Sequence, residues 1–251
     1  MWPALSKAGG EIVVFGDADT RNFRADLVVG IADCLLVRPE IRLIKAAYRR
    51  PFADGELSIP DGGGRVAELL AKPLLNVFFP ELAGFVQPMA GEFGGRELLC
   101  SLPFLTGYAV EIGLLIDVFG ACGLASMAQV ALDVQLNRHQ DLPTLSRMAY
   151  SIQRAVLIRA TGTGQPGCAE RFGPAEALNE ISTYVYAVAR TDGLAMERYG
   201  EVLIERPPMG SVLGDRPSQL WLVSSQIVTI LLTERYDSRT SHTDLAARMG
   251  S

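Results

Sequence analysis

The sequence predicts an α/β domain. Short β-branched apolar runs alternate along the chain with stretches of helical spacing, and the first of those runs ends in paired acids. At 251 residues, with 49% hydrophobic and 20% charged positions, the chain can bury a sizeable core and has room for one α/β unit with an appendage. A formal charge of −5 gives no electrostatic reason to expect nucleic acid, so an anionic substrate has to be met by local arginines.

Residues 1–10 read as the end of a helix leading through Gly9-Gly10 into a strand of buried type at 12–15, Ile-Val-Val-Phe. A second strand is predicted at 41–48, followed by Arg49-Arg50-Pro51 and a loop rich in Gly, Pro and Asp that ends in Asp61-Gly62-Gly63-Gly64-Arg65. Helical spacing covers 66–79, where Pro73 marks a kink or boundary, and returns over 107–119. Residues 128–136 alternate as a strand, 142–160 are helical, 161–167 form a break and 174–190 read as a further helix. There is no internal repeat. The four cysteines lie at least 22 positions apart, so no C-x-x-C pair points to zinc or redox chemistry, and they read as reduced, mostly buried thiols. No apolar signal core opens the chain, and the late apolar stretch 220–232 is short and broken by Ser224, Ser225 and Gln226, so the expected location is cytosolic with no membrane partner.

Three constellations can carry chemistry. Asp17-Ala18-Asp19 follows the first strand, where ligands of open α/β sheets bind, and two such carboxylates suit Mg²⁺ or Mn²⁺ with phosphates and water completing the shell. A turn in which either Asp caps the next helix is the other reading. Haloacid-dehalogenase-type phosphatases share strand-D-x-D but want Thr or Val two places after the second Asp, where this chain has Arg21. The glycine run before Arg65 would let a backbone approach an anion that Arg65 grips bidentately, or it is simply a surface loop. Glu111 sits within Tyr108-Ala109-Val110-Glu111-Ile112-Gly113-Leu114, either on the exposed stripe of an amphipathic helix or held in a site by a partner.

Taken in order, these stretches resemble the glucosyl-3-phosphoglycerate synthases, retaining glycosyltransferases of the GT-A fold. The matching segments include Ala4-Leu5-Ser6-Lys7 through Asp19, Tyr48-Arg49-Arg50-Pro51, Gly62-Gly63-Gly64-Arg65-Val66 and Gln87-Pro88-Met89 with Gly91-Glu92. They continue through Arg96-Glu97-Leu98-Leu99, Tyr108 to Asp117, Leu145-Ser146-Arg147-Met148 and Glu205-Arg206-Pro207-Pro208-Met209, covering residues 1–209 and leaving 210–251 unassigned. The resemblance implies transfer of glucose from UDP-glucose to the 2-hydroxyl of 3-phosphoglycerate with retention, Mg²⁺ or Mn²⁺ as cofactor, and a homodimer. It makes Asp17 and Asp19 the donor-side D-x-D, with Asp19 the more direct metal ligand and Asn137 at the third metal position. Gly64, Arg65 and His139 fall at acceptor positions, Tyr108 and Glu111 on the donor-sugar wall, and Met89 where a backbone carbonyl faces the sugar. Asp19, Glu111 and Met89 are thereby the implied catalytic set.

Two departures bear on this expectation. Asn137 stands where the family has a metal-binding His, and Ala67 stands where its acceptor loop has a Thr. An amide oxygen can bind Mg²⁺ but offers no imidazole nitrogen, so affinity for Mn²⁺ should fall. The resemblance also places the family's first βαβ units, which hold uracil and ribose, before Met1, so an N-terminally truncated GT-A domain with open sheet edge is expected. A non-catalytic remnant and a mannosylglycerate-type synthase with another acceptor are the competing expectations.

Overall fold

The computed structural model describes residues 1–213 and 228–233, apart from positions 7, 9, 19, 55, 56, 138, 166, 167, 181, 182 and 192. After a short helix α1 (Trp2–Leu5), the chain enters β1 (Ile12–Asp17), all six residues of which are buried. Strict alternation divides them between the two faces of the sheet. Ile12 and Val14 pack with Leu27, Ile31 and Leu35 of α2 (Ala25–Val37), while Val13 and Phe15 point into a larger core on the opposite side. The next strand, β2 (Leu43–Arg49), divides the same way, with Leu43 in the larger core and Ile44, Ala46 and Tyr48 under α2.

The hairpin β3 (Phe52–Asp54) and β4 (Leu57–Ile59) precedes the glycine loop. Beyond it, a π-helical turn over Ala67–Ala71 runs directly into α3 (Lys72–Phe78), with Pro73 in the first turn of the α-helix. Proline lacks an N–H and crowds the carbonyl four residues back, so the wider turn is where the expected boundary falls. Strand β5 (Phe93–Gly95) follows, then β6 (Phe104–Leu105), α4 (Val110–Cys122) and β7 (Met127–Val134).

Helix α5 (Leu142–Gly162) begins where Asp141 accepts the Thr144 N–H at 2.8 Å and Pro143 occupies the first turn, and it lies with α3 and α4 against the larger core. Short helices α6 (Cys168–Phe172) and α7 (Ala175–Glu180), a hairpin of β8 (Thr183–Arg190) and β9 (Gly193–Gly200), β10 (Glu205–Arg206), α8 (Met209–Leu213) and β11 (Val228–Thr233) complete the described elements.

The main sheet has the order β11-β1-β5-β2-β7. Strand β5 runs antiparallel between β1 and β2, β2 pairs parallel with β7, and β1 pairs parallel with β11. The carboxyl ends of β1, β2 and β7 therefore share one edge. The side of β1 facing away from β5, expected to be open sheet edge, is covered by β11, which comes from the stretch left unassigned in the sequence.

Three expectations are corrected. The helix expected over 174–190 is α7 followed by β8. Alternation of Thr183, Val185 and Ala187 outward with Tyr184, Tyr186 and Val188 half-buried is a strand pattern, and Tyr184 stacks on Tyr150 of α5 at 5.1 Å and on Tyr186 at 5.2 Å. The thiols are free, but Cys168 alone of the four is buried, while Cys122 is exposed on the last turn of α4 and Cys34 and Cys100 are half-buried. Glu111 does not lie on an exposed stripe, because it is 3% exposed among the apolar residues of α4.

Candidate active site

At the shared carboxyl edge a cleft opens between the end of β1, the glycine loop and the segment after β7. Asp17, Arg50, Gly64, Arg65, Met89, Asn137 and His139 all contribute to its wall, together with the first turns of α5 through Leu145 and Met148. Asp17 closes β1 and is 5% exposed. Its carboxylate lies so close over Gly91 that a Cβ there would come within 2.1 Å of Oδ1, so the Asp17 position depends on a residue with no side chain. Asp17 does not cap the following helix, because the N-cap of α2 is Arg24 and no side chain caps it. Asp19 lies outside the described residues, as does Arg138.

Behind Asp17 sits Glu92, 2% exposed, which accepts from the Asp17 N–H at 3.4 Å, the Thr20 hydroxyl at 3.1 Å, the Tyr48 hydroxyl at 2.7 Å and the Gln135 side-chain amide. Burial, reinforced by the neighbouring Glu92 charge, holds the Tyr48 phenol protonated well above its ordinary range, so it serves as a donor here. Below the same loop, the buried Lys45 ammonium donates to the Ala90 carbonyl at 2.7 Å and lies 5.0 Å from the centre of the Phe93 ring.

The opposite wall is basic. The Gly63 N–H donates to the Arg50 carbonyl at 2.8 Å, folding the glycine loop back onto the end of β2, and Gly64 takes φ +66 to turn the chain into the helix that begins with the bond from the Glu68 N–H to its carbonyl. Arg65 donates to the Gln140 carbonyl at 2.7 Å and stands 5.0 Å over the Phe52 ring, whose other neighbour is His139 at 4.6 Å between ring centres. Arg50 donates to the Asn137 side-chain oxygen at 3.2 Å. A guanidinium only donates, so this contact fixes which end of the amide faces Arg50. Two arginines and a histidine facing one acidic corner have the chemistry that an anion bearing phosphate or carboxylate would require.

Of the residues marked in the sequence, Asp17, Gly64, Arg65, Met89, Asn137 and His139 line this cleft. Tyr108, half-buried in the turn Gly107–Ala109, and Glu111 do not contribute to its lining. Arg50 and Gln140 were not singled out as site residues, although the double arginine ending the second strand was the available signal.

The donors fit a divalent cation of the Mg²⁺ or Mn²⁺ class. Asp17 is held in a cradle open only because residue 91 is Gly, and the Asn137 amide oxygen keeps a second lone pair beside its bond to Arg50. Among the described residues, which leave out Asp19, no group of three or more His, Cys, Asp and Glu is assembled.

No protein-family model matches the chain. It is 37% identical over 211 residues to a glucosyl-3-phosphoglycerate synthase of Petrotoga mobilis, an alignment spanning 83% of this chain and 62% of that protein. The crystal structure of mannosyl-3-phosphoglycerate synthase from Rubrobacter xylanophilus superposes with a TM-score of 0.74 at 51% identity, over 84% of this chain and 66% of that one. Over these residues the chain is similar to the glucosyl-3-phosphoglycerate and mannosyl-3-phosphoglycerate synthases. The Mycobacterium tuberculosis glucosyl-3-phosphoglycerate synthase is 43% identical over 163 residues, covering 63% of this chain and 50% of that protein. One of its structures, a complex with Mn²⁺, UDP-glucose and phosphoglyceric acid, matches with a TM-score of 0.67 at 34% identity, over 84% of this chain and 64% of that one. The chain thus spans between half and two thirds of the family members it matches, and the mixed α/β fold described above is the glycosyltransferase fold of those structures.

Proposed function

We propose that the chain supplies the metal-binding and acceptor-binding part of a retaining glucosyltransferase that moves glucose from UDP-glucose to the 2-hydroxyl of 3-phosphoglycerate. The observation that carries this reading is one cleft at the strand ends with Asp17 on one wall and Arg50 and Arg65 on the other. A divalent cation bound through Asp17, Asp19 and the Asn137 oxygen would supply Lewis-acid neutralisation of the departing diphosphate.

The protein's own groups do the rest. Arg65 and the backbone at Gly64 grip the acceptor phosphate, His139 contacts the acceptor, and Gln140 and Phe52 hold the Arg65 side chain in place. The Met89 carbonyl faces the sugar, with Tyr108 and Glu111 assigned to the donor-sugar wall by family position. The acceptor hydroxyl passes its proton to the departing phosphate oxygen on the same face, so no side chain is required as a nucleophile. A homodimer is part of the proposal, supported by the exposed Val185 and Met196 on the outer face of the β8–β9 hairpin. A cytosolic setting is supported by four free thiols and, among the described residues, by no helix long and apolar enough to cross a membrane.

Incubation with UDP-glucose, 3-phosphoglycerate and Mn²⁺ is expected to release UDP and to stop when EDTA is added. UDP release that ignores either EDTA or the omission of 3-phosphoglycerate would refute the reading. A mannosyl donor is the second reading, favoured by the 51% identity to the R. xylanophilus mannosyl-3-phosphoglycerate synthase. Turnover of a nucleotide-activated mannose in preference to UDP-glucose in the same assay would establish it.

A further inference from the structure

Glu92 brings together three segments that the cleft needs in register. Its Oε1 accepts from the Asp17 backbone N–H and the Thr20 hydroxyl at the end of β1, and from the Gln135 amide just after β7; its Oε2 accepts from the Tyr48 hydroxyl near the end of β2. Gln135 also donates to the Thr20 hydroxyl at 2.9 Å, so that hydroxyl's own proton is directed to Glu92. Tyr48 in turn accepts on its carbonyl from Gln87, at 3.1 Å, two residues before Met89. Every partner gives a hydrogen to the carboxylate. Only an acceptor-only group satisfies all of them, and Glu92 is 2% exposed with no cation among these four contacts.

A carboxylate satisfied by neutral donors is costly if its purpose is only to stabilise the fold, because an apolar residue could fill the same space. From this arrangement we infer that Glu92 is a positioning residue for the divalent cation. It fixes the Asp17–Thr20 turn against the Gln135–Asn137 segment, so that the Asp17 carboxylate and the Asn137 amide present their oxygens to one point. The role rests on the metal-dependent reading above. It concerns residues outside the proposed ligand set, since Glu92 supports Asp17 through its backbone and Asn137 through Gln135, two residues away. Outer groups of this kind typically alter metal affinity by about 10–100-fold when removed.

The test uses the whole chain and Mn²⁺ alone as probe, with free Mn²⁺ counted by electron paramagnetic resonance below the melting temperature of each variant. In parallel, 3-phosphoglycerate binding at the Arg65 wall is measured by calorimetry. Glu92→Gln puts a donor against donors and is expected to weaken Mn²⁺ binding about 10–100-fold. 3-Phosphoglycerate affinity should stay within about twofold. Thr20→Val keeps the Glu92 charge, removes one donor to it, and guards against a variant that fails to fold; it should weaken Mn²⁺ binding several-fold with the same selectivity. Unchanged Mn²⁺ affinity in both variants, or an equal loss at both walls, overturns the role and leaves a structural carboxylate. Asp17→Asn separates the two claims: if it leaves Mn²⁺ binding unchanged, or if the unaltered chain binds none, the metal reading itself fails and this role with it.

Discussion

Two of the molecule's acids, Glu92 and the largely buried Asp117, are satisfied in opposite ways. Around Glu92 the hydrogen-bond partners are neutral donors, one of them the Asp17 backbone N–H. Between α4, α5 and β10, Asp117 meets Arg159 at 2.6 Å, and the same guanidinium reaches the exposed Glu205 at 2.5 Å, so one cation pairs with both carboxylates. The first arrangement ties the ends of β1, β2 and β7 together at the cleft edge, whereas the second locks helices and strand together away from it. Burial of an acid alone does not distinguish a site from a strut. The chemistry of its partners does.

Breaking the strut should produce the largest effect. Arg159→Met keeps most of the packing but leaves two carboxylates facing each other without a cation, and should lower unfolding stability by about 3–5 kcal/mol in denaturant titrations. The Mn²⁺ affinity of the folded protein should be unaffected. The reverse pattern is expected for Asp17→Asn: Mn²⁺ affinity falls by more than about 100-fold, beyond the usual range for outer groups, while melting temperature changes little. A variant that moved both quantities equally would erase the distinction between the two clusters.

A smaller gain should follow from restoring an imidazole at the cleft. Asn137→His gives up the Arg50 contact at 3.2 Å but supplies a nitrogen ligand, and about tenfold tighter Mn²⁺ binding with little change for Mg²⁺ is the expected result. If Mn²⁺-dependent turnover is absent before and after this exchange, the non-catalytic reading is favoured. A sharp rise after it counts against that reading.

The smallest effect is a pH dependence confined to the strut. Burial raises the Asp117 pKa above its usual 3.8, although Arg159 pulls it back. The folded state therefore holds its proton more tightly than the unfolded chain. That contribution to stability is complete below about pH 3.8 and is lost as pH rises through the raised value. The difference in unfolding free energy between the unaltered chain and Asp117→Asn, followed upward from that pH, should decline in this sense. A difference that grew with pH would show that Arg159 outweighs burial.

Much of the frame was legible because it rests on short-range pattern. The runs at 12–15 and 41–48 became β1 and β2, and 142–160 became α5, since their periodicities match the faces they bury. Strand β5 escaped because Phe93-Gly94-Gly95 carries no pattern of its own and is specified by the two strands between which it lies. The helix expected to continue through 190 stopped at Glu180 because the tyrosines beyond it find an aromatic platform on α5, a tertiary gain that local propensity does not reveal.

At the cleft, the paired acids and the glycine loop announced themselves through residue type and spacing. Glu92 did not, because its four donors lie 43 to 75 positions away in sequence. Nor did the burial of Glu111, which depends on the packing around α4 rather than on its neighbours along the chain.

The central claim is that the cleft joins a metal wall to an acceptor wall that recognises phosphate through Arg65. Calorimetric titration of 3-phosphoglycerate and of glycerate into the unaltered chain and into Arg65→Ala tests it most directly. The account predicts binding of 3-phosphoglycerate that weakens by about 10–100-fold in Arg65→Ala, consistent with loss of a charge-assisted bond worth about 1.5–3 kcal/mol, and much weaker binding of glycerate to both proteins. Equal affinity for the two ligands, or an Arg65→Ala variant that binds 3-phosphoglycerate as the unaltered chain does, would contradict it.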